Sequence, residues 1–474
     1  MANVVIIGGG LGGLSTAMLL ALDGHRATVL ERDPAPPPPD PTAAWESWSR
    51  RGVNQFRMPH LLMPRWRELV ERELPDLAAC CDRLGAYRYS FLDTRRAVGE
   101  RRDGDERFDG LTGRRPMIEL AVAAAAAATS GVAVRRGVGI AGLLHDSYRS
   151  GPPHVTGVRT EAGDDLAADL VIDCSGRRSQ LPEWLAGIGA AAPAEEHEDS
   201  GFVYYARHFR SDDGAMPDGE WLPHVPHGSV ATLTMPADNG TWSVAIIAAS
   251  DDAELRGLRH ADRWHAAVAR MPESAAWAEV EPLGDVAVMT KLEDRRRRLV
   301  VDGEPVATGI VAVGDAWACT NPSLGRGAAL GLLHACTLRD LLREIAPSDR
   351  RGFALRWQEV TDATVGPWYD ATVAYDRNRL ADMRAARTGA TRDADPVWET
   401  TKALQKAATV DPDALRAFVS VVSVQELPMP AMMSVPDLFE RVGRLASGIG
   451  EPPGADRDEL VAAAAGRLAQ RVPS

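Results

Sequence analysis

A glycine-rich segment at positions 8–13 has the residue types and spacing needed to hold a dinucleotide. The segment, GGGLGG, satisfies the pattern G-x-G-x-x-G directly after a β-branched run and directly before a run with helical spacing. In this context Gly8 permits a tight turn, Gly10 lets the backbone approach a pyrophosphate, and Gly13 allows a helix to pack closely on a strand. The N terminus of the following helix adds a positive dipole. These residues predict dinucleotide binding and imply no catalysis by themselves.

Glu31 stands at the end of the second strand pattern, 23 positions after Gly8. A carboxylate at this place can accept hydrogen bonds from both hydroxyls of an adenosine ribose and would repel a 2′-phosphate. FAD or NAD is therefore favoured over NADP, with Arg32 as a neighbouring candidate contact. An ordinary surface glutamate at a strand end is the competing interpretation.

Two later segments have the form of buried strands that end in an acidic residue beside small residues. The first, LVIDCSGRRS at positions 170–179, contains Asp173, and the second, GIVAVGDA at positions 309–316, contains Gly314 and Asp315. Asp173, Gly314 and Asp315 are therefore candidate cofactor-binding residues. These two segments are the ones that distinguish an FAD site from an NAD site.

With these three separately placed motifs, the chain resembles the FAD-dependent monooxygenase superfamily typified by p-hydroxybenzoate hydroxylase, over residues 4–342. The resemblance implies non-covalently bound FAD, with Asp315 at the ribityl side of the cofactor. It also implies that the backbone passes the isoalloxazine ring at Pro322, Gly325 and Gly327. A helix that begins near Gly327 would direct N–H groups at the N1/C2 region of the flavin and stabilise its anionic reduced form.

The segment RRGVNQ at positions 50–55, with a Pro-His pair after it, resembles the R-R-G-V-P-Q-x-x-x-P-H segment of the epoxidase and halogenase-like branch, with asparagine in place of the motif's first proline. That segment lies beside the flavin. The resemblance makes Arg50, Arg51 and Gln55 candidate flavin ligands, and a solvated surface charge is the alternative for either arginine. His60 is either a proton donor near the site or a structural histidine packed before a helix.

Two further positions match less specific parts of the superfamily pattern. Arg115 and Val138 stand where members often contact the FAD phosphate and adenine. The catalytic side chains stay unassigned, because the flavin itself would carry the chemistry. Gln55, His60 and Pro322 are the candidates.

The sequence departs from the motifs of two branches of the superfamily, and these departures bear on the type of reaction and on the source of electrons. Flavin halogenases carry a W-x-W-x-I-P segment and a lysine that handles hypohalous acid, whereas this chain has no lysine before Lys291 and spaces Trp45 and Trp48 as W-x-x-W. Halogenation is therefore disfavoured.

Aromatic hydroxylases that take hydride directly from NADPH have a D-G motif where this chain has DCSG at positions 173–176. Electrons would come from NAD(P)H either directly or through a separate flavin reductase.

The resemblance implies a flavin-dependent oxidoreductase, with a monooxygenase as the leading hypothesis. Such an enzyme would insert one oxygen atom of O₂ through a flavin C4a-hydroperoxide, by hydroxylation or epoxidation, into a hydrophobic or aromatic small molecule of specialised metabolism. The alternative is a reductase or dehydrogenase of the geranylgeranyl-reductase kind, which shares all three FAD motifs and saturates alkenes. A halogenase and a non-catalytic FAD-binding protein are further alternatives. Oxygen reactivity separates the monooxygenase from the reductase.

The elements that must position these residues predict an α/β protein, α+β overall. Helix patterns cover residues 14–21, 64–74 and 115–129, and strand patterns cover 3–7, 27–30, 132–136, 201–209, 230–235, 242–248 and 286–291. The proline-rich residues 34–41 predict an extended loop, and the chain beyond Gly327 is predicted to be helical, with breaks at 428–430 and 432–433.

We expect a discontinuous Rossmann-type FAD-binding domain (1–190 and 285–345), an inserted antiparallel-sheet substrate domain (191–284) and a C-terminal helical region (346–474). C-terminal residues 418–422 and the Met-rich loop would wall the substrate pocket, although plain core packing also explains the methionines.

Composition limits the kinds of partner. A net charge of −13 argues against nucleic acid or an anionic membrane surface and favours a small-molecule substrate. The five cysteines form no C-x-x-C pair, which predicts reduced core thiols and no metal site. No run of eighteen or more apolar residues is present and the first residues lack a basic start, so we expect a cytoplasmic protein without stable membrane insertion. Residues 295–298, four consecutive arginines, predict a solvated hairpin turn more readily than an anion site.

Overall fold

The computed structural model describes residues 1–94, 100–146, 151–217, 221–393, 395–450 and 456–468. Within them the strands, in chain order, are β1 Asn3–Ile7, β2 Arg26–Glu31, β3 Tyr87–Ser90, β4 Asp109–Thr112, β5 Val132–Arg136, β6 Ile140–Asp146, β7 His154–Thr160, β8 Asp165–Ala167, β9 Leu170–Asp173, β10 Ala194–Asp199, β11 Phe202–Arg210, β12 Val225–His227, β13 Val230–Pro236, β14 Thr241–Ala249, β15 Ala287–Met289, β16 Glu293–Arg298, β17 Val300–Val301, β18 Glu304–Pro305, β19 Ile310–Ala312 and β20 Ala318–Cys319. The helices are α1 Leu11–Leu22, α2 Pro41–Glu46, α3 Pro64–Glu73, α4 Pro75–Arg83, α5 Arg115–Ala128, α6 Leu181–Gly187, α7 Ala261–Val268, α8 Pro272–Ala275, α9 Gly327–Glu344, α10 Arg350–Thr364, α11 Gly366–Thr388, α12 Pro396–Ala407, α13 Pro412–Val422, α14 Pro428–Met433, α15 Leu438–Ala446 and α16 Arg457–Ala464.

A five-stranded parallel sheet in the order β19-β9-β1-β2-β5 forms the centre of the nucleotide-binding part. Its inner strands are short apolar runs that are buried on both faces, as parallel strands covered by helices must be. Helices α1 and α5 pack on one face, and the small sheet β6-β7-β8 with α6 lies on the other. Because Ile7 pairs in register with both Leu30 and Asp173, the carboxyl ends of three strands meet at one edge. This edge is where α/β sheets bind ligands.

A second sheet, antiparallel and five-stranded, has the order β12-β13-β14-β11-β15. Strand β14 is buried along its whole length because the sheet is covered on both faces. Trp242, Trp264 and Phe209 form a stacked aromatic core on it. A Rossmann-type parallel sheet, an inserted antiparallel sheet and a helical C-terminal region were all predicted, and this fold class is confirmed.

The prediction of a solvated hairpin turn at residues 295–298 is wrong. These residues belong to strand β16, which pairs antiparallel with β10, and Arg295, Arg296 and Arg297 are buried. Arg297 forms an ion pair with Glu195, and Arg296 lies 2.9 Å from Glu196. The arginines can be buried because the acidic strand β10, with the sequence AEEHED, supplies carboxylates opposite them. Strand β10 lies about a hundred residues earlier in the chain.

Two proline-rich segments are more helical than predicted. Pro41 starts α2 rather than ending a loop, because the side chain of Asp40 caps the helix by accepting a hydrogen bond from the Ala43 amide. Residues 428–433 form the short helix α14 instead of a break, with Pro428 in the first turn, where its missing N–H is not needed.

All five cysteines are free thiols, and four of them are buried. Among the described helices, none combines the length and the apolar character that crossing a bilayer requires.

Candidate active site

One cavity of about 490 Å³ runs from the glycine-rich turn to the C-terminal helices. Its wall includes residues from both sheets and from α9, α11, α12 and α13. Fourteen of the predicted site residues lie in this wall: Gly8, Gly10, Glu31, Arg32, Arg50, Gln55, His60, Arg115, Val138, Gly314, Asp315, Pro322, Gly325 and Gly327. The fold thus brings together residues that stand more than 300 positions apart.

The glycine-rich turn has the shape of a phosphate cradle. Gly8 has a φ of +103°, and a Cβ on Gly13 would lie 1.9 Å from the Gly8 carbonyl oxygen, so each position requires glycine. A Cβ on Gly10 would meet no protein atom within 4 Å, which leaves its open side to the cavity. Helix α1 has no side-chain cap, and the buried Ser15 hydroxyl on the cavity wall has no hydrogen-bond partner in the described structure. These unsatisfied donors fit a bound pyrophosphate.

The Glu31 carboxylate is held in place by three donors. Its Oε2 accepts hydrogen bonds from the Gly9 amide at 2.8 Å and from Arg50 at 2.7 Å, and its Oε1 accepts one from the Asp33 amide at 2.8 Å. Arg50 also lies 3.0 Å from the carboxylates of Asp33 and Glu119. Since a carboxylate offers about four acceptor positions, Glu31 keeps one for a ribose hydroxyl. Arg50 is thus the counter-ion of Glu31.

Arg115 connects this network to His60. Its guanidinium lies 2.7 Å from Glu119, and its Nη1 lies 3.2 Å from the Nε2 of His60. Burial, together with the positive charge of Arg115, lowers the pKa of His60 to about 3. His60 is therefore neutral near pH 7, which supports the structural alternative over a proton-donating imidazolium.

The far side of the cradle carries the residues expected near the flavin. Asp315 follows β19 and lines the cavity, and burial raises the pKa of its carboxyl group. Gly325 has a φ of +63°, which allows the chain to turn between Pro322 and helix α9. Helix α9 begins at Gly327 without a side-chain cap, which leaves its first N–H groups without side-chain acceptors, and its first residues line the cavity.

Three predicted residues lie outside the cavity wall. Gly13 acts through the close packing of α1 on the Gly8 turn. Asp173 is fully buried and accepts hydrogen bonds from Ser175 and Ser179, so it shapes the turn that follows β9. Arg51 is exposed to solvent.

The part of the cavity beyond the flavin-side turn is apolar and was only partly predicted. The expected C-terminal residues lie in its wall: Phe418, Val419, Val421, Val422, Pro428 and Met432. Three strand residues, for which the sequence offered no rule, also line it: Leu233, Met235 and Met289. Polar residues missed by sequence reasoning are Ser15, Arg177, Tyr204, His224, Tyr375 and Asn378. Their types and spacing follow no motif, because the elements that carry them are far apart in the chain.

Comparison with known proteins agrees with this geometry. Residues 3–87, which include the whole β1-α1-β2 unit, match the family model described as FAD dependent oxidoreductase. The match covers the nucleotide-binding unit alone, and together with the cavity it indicates an oxidoreductase enzyme. Residues 122–187 of this oxidoreductase also match the model described as Tryptophan halogenase. That match ends before the antiparallel sheet and the C-terminal helices that complete the cavity.

Whole-chain comparisons extend the likeness. Protein Rv3254 of Mycobacterium tuberculosis is 28% identical to this oxidoreductase over 397 residues, which cover 77% of this chain and 78% of the relative. PqsL of Pseudomonas aeruginosa, described as a probable FAD-dependent monooxygenase, superimposes with a TM-score of 0.59 at 18% identity over 81% of this chain and 97% of that one. The Diels-Alderase PyrE3 gives the same TM-score at 19% identity, over 90% of this chain and 81% of that one. The chain therefore shares its overall fold with these two solved structures.

Proposed function

We propose that this oxidoreductase is a monooxygenase that inserts one oxygen atom of O₂ into a hydrophobic or aromatic small molecule, by hydroxylation or epoxidation. The observation that carries the proposal is the continuity of the cavity. A dinucleotide cradle at one end opens, past the turn at Pro322, into an apolar chamber at the other. Bound FAD would supply the two-electron redox chemistry and the activation of O₂.

The residues of the chain bind and orient the cofactor. In this proposal Gly10 and the α1 N terminus hold the pyrophosphate, Glu31 accepts a hydrogen bond from one ribose hydroxyl, and Asp315 accepts hydrogen bonds from the hydroxyls of the ribityl chain. The uncapped N terminus of α9 faces the ring and favours negative charge there. These assignments use donors and acceptors that the protein leaves unsatisfied within its described part.

The apolar chamber excludes water from the reacting face. Leu233 and Met235 from the sheet and Phe418 and Val422 from α13 line this chamber. A dry chamber would suit the oxygen transfer that bound FAD supplies, because entry of water favours loss of oxygen as H₂O₂. The same walls set the substrate class as largely apolar, in keeping with specialised metabolism.

The positions of the three lysines do not support halogenation. Lys402 lies 2.8 Å from Glu399, and neither it nor Lys291 or Lys406 is among the residues of the described structure that line the cavity. A halogenase-like lysine beside the substrate is therefore missing from the described part of the chamber.

Electrons come from NAD(P)H in this proposal, either directly or through a separate flavin reductase. Incubation of the purified holoenzyme with NADH or NADPH under anaerobic conditions distinguishes the two routes. Rapid bleaching of the flavin indicates direct reduction. Bleaching only after a flavin reductase is added indicates a two-component system.

The monooxygenase proposal is tested by oxygen reactivity. The flavin is reduced anaerobically, mixed rapidly with oxygenated buffer, and followed by absorbance, with free reduced FAD as the control. We expect a transient spectrum that belongs to neither reduced nor oxidised flavin, and mass spectrometry with isotopically labelled O₂ should then show one labelled oxygen atom in the product. Slow return to oxidised flavin with no labelled product, in the presence of an alkene that becomes saturated, would instead establish the reductase alternative.

A further inference from the structure

The cavity reaches the protein surface between two C-terminal helices. Ala374 on α11 and Val397 on α12 both line the cavity and are both exposed, Val397 to 70%. A residue that is exposed and also part of the wall lies where the cavity opens to solvent. The residues that follow them in the chain, Tyr375 and Trp398, line the cavity as well. We call Ala374, Tyr375, Val397 and Trp398 the port.

The port belongs to the apolar end of the cavity. Leu404 continues the wall along α12, and it shares one small apolar core with Val421 and Met432, which line the chamber. The wall at the other end includes the glycine-rich turn and Glu31, where FAD would fill the cavity in the proposed function. A substrate therefore needs a route into the chamber that does not pass through the cofactor end, and the port provides one.

Two aromatic rings narrow the port. The ring centres of Tyr375 and Trp398 lie 5.1 Å apart, and the planes meet edge to face at 81°. The Trp398 ring is fixed in this place because its Nε1 donates a hydrogen bond to the Asp382 carboxylate at 2.6 Å. Asp382 also accepts a hydrogen bond from Arg392 at 2.8 Å and lies 3.5 Å from the Nζ of Lys402. A charged acceptor thus holds the indole against the tyrosine.

Polar contacts join α12 to α11 beside the port. The Asn378 side chain on α11 donates a hydrogen bond to Asp395, the cap of α12, at 3.0 Å, and the bond from Trp398 to Asp382 is a second link. Helix α12 also packs on α13 and α15, around an apolar core to which the described residues of α11 do not contribute. Regions held by hydrogen bonds near solvent open more easily than apolar cores. The contact between α11 and α12 is therefore the place where the chamber can open.

We propose that substrate enters the chamber between α11 and α12, and that the rings of Tyr375 and Trp398 set the largest cross-section that passes. The two residues are then determinants of specificity that act on the way to the bound position. This inference rests on the proposed function only in taking the chamber as the substrate site. Access of a chemical probe to the chamber tests it without turnover.

A reporter thiol in the chamber measures access. Met235→Cys places a thiol on the cavity wall, and its alkylation by N-methylmaleimide is followed in the FAD-loaded enzyme by mass spectrometry of the peptide that contains position 235. Adding Ala374→Trp should slow this alkylation about tenfold or more, because an indole would fill the port and leave local opening as the route. The flavin content of each variant is measured first. An unchanged rate would overturn the proposed route.

The matched control adds Val410→Trp to the same reporter. Val410 is 52% exposed just beyond the end of α12 and is not among the described residues that line the cavity. A tryptophan there should leave the rate of alkylation unchanged. If it slows alkylation as much as Ala374→Trp does, blockage of the port is not the cause and the proposal fails.

Reagents of increasing width test the filter. N-methylmaleimide, N-phenylmaleimide and N-pyrenylmaleimide are compared, and each rate is divided by the rate of the same reagent with glutathione. Trp398→Ala should raise the rate of the pyrenyl reagent about tenfold more than that of the methyl reagent, because loss of the indole leaves a wider passage. Trp398→Phe keeps a ring beside Tyr375 and should keep most of the selectivity. An equal increase for all three reagents in Trp398→Ala would contradict the role of the ring.

The outcomes separate this inference from the proposed function. Alkylation through the port without oxygen transfer to any substrate would refute the monooxygenase and keep the port. Oxygen transfer by an enzyme whose reporter thiol reacts equally fast with and without Ala374→Trp would do the reverse. If Trp398→Ala does not fold, the comparison of Ala374→Trp with Val410→Trp still decides the route.

Discussion

The guanidinium of Arg50 lies 2.7 Å from the carboxylate of Glu31, and the two side chains are 4% and 8% exposed. The residue that the sequence assigns to the ribose is therefore oriented by an arginine from a separate segment. Arg50 also pairs with Asp33 and Glu119, so it balances three carboxylates at once. Arg50 thus fixes the Glu31 carboxylate that faces the cavity.

Glu31→Gln should weaken FAD binding by about tenfold or more, since a ribose hydroxyl bonds a charged acceptor more strongly than a neutral one. The matched control is Glu119→Gln, which weakens the ion pairs of Glu119 with Arg50 at 3.0 Å and with Arg115 at 2.7 Å, although Glu119 itself does not line the cavity. Both variants should lower the Tm, and only Glu31→Gln should raise the Kd of FAD, measured by quenching of flavin fluorescence. An equal loss of affinity in both variants would mean that the network, and not the ribose contact, determines binding.

Two glycine substitutions should separate packing from cofactor contact. A methyl group on Gly13 would collide with the Gly8 carbonyl, whereas one on Gly10 would meet no protein atom. Gly13→Ala should therefore lower the Tm of the cofactor-free protein. Gly10→Ala should leave that Tm unchanged and prevent FAD binding, because the methyl group would occupy the place of the pyrophosphate. Normal flavin content in Gly10→Ala would disprove this location of the pyrophosphate.

Local patterns were sufficient to predict the nucleotide-binding unit. Strand β1, helix α1 and strand β2 appear where the glycine motif and the flanking apolar runs place them, and β5 matches its prediction at both ends. These elements are predictable because their residues determine them over short distances in the chain. The edge of a parallel sheet then brings Gly8 and Glu31 together without further information.

Long-range charge pairing was not predictable in the same way. The buried state of Arg296 depends on Glu196 and Asp370, which lie 100 residues before it and 74 residues after it in the sequence. The hydrogen bond from the Tyr204 hydroxyl to Asn321 likewise joins residues that lie 117 positions apart. Such contacts depend on how the two sheets and the C-terminal helices pack. This packing cannot be predicted from the periodicity of the sequence.

Asp376 should make stability depend on pH in the neutral range. Burial raises the pKa of its carboxyl group to about 7, although Arg379 and the hydrogen bond from Ser323 act in the opposite direction. Asp294 adds to the increase, and the amide of Asn321 opposes it. The folded protein therefore holds this proton more tightly than the unfolded chain, and the resulting stabilisation is lost as the pH rises towards 7.

The variant Asp376→Asn isolates this effect. The free energy of unfolding of the unmodified holoenzyme, measured with urea, should fall relative to that of Asp376→Asn between about pH 4 and pH 7, and the difference should level off above that range. Other titrating groups cancel in the difference. A difference that is constant with pH would show that Asp376 titrates normally.

The ion pair between Arg114 and Asp238 should hold the antiparallel sheet against the start of α5. Asp238 is fully buried and accepts hydrogen bonds from the Arg114 amide at 2.6 Å and from its Nη2 at 2.7 Å. Asp238→Ala leaves a buried guanidinium unpaired and should cost about 3–5 kcal/mol of unfolding free energy. The exposed pair Arg159–Asp165 is the control, and Asp165→Ala should leave the unfolding free energy almost unchanged. Urea unfolding of both variants measures the contrast, and similar small losses would show that the two sheets are held together by apolar packing alone.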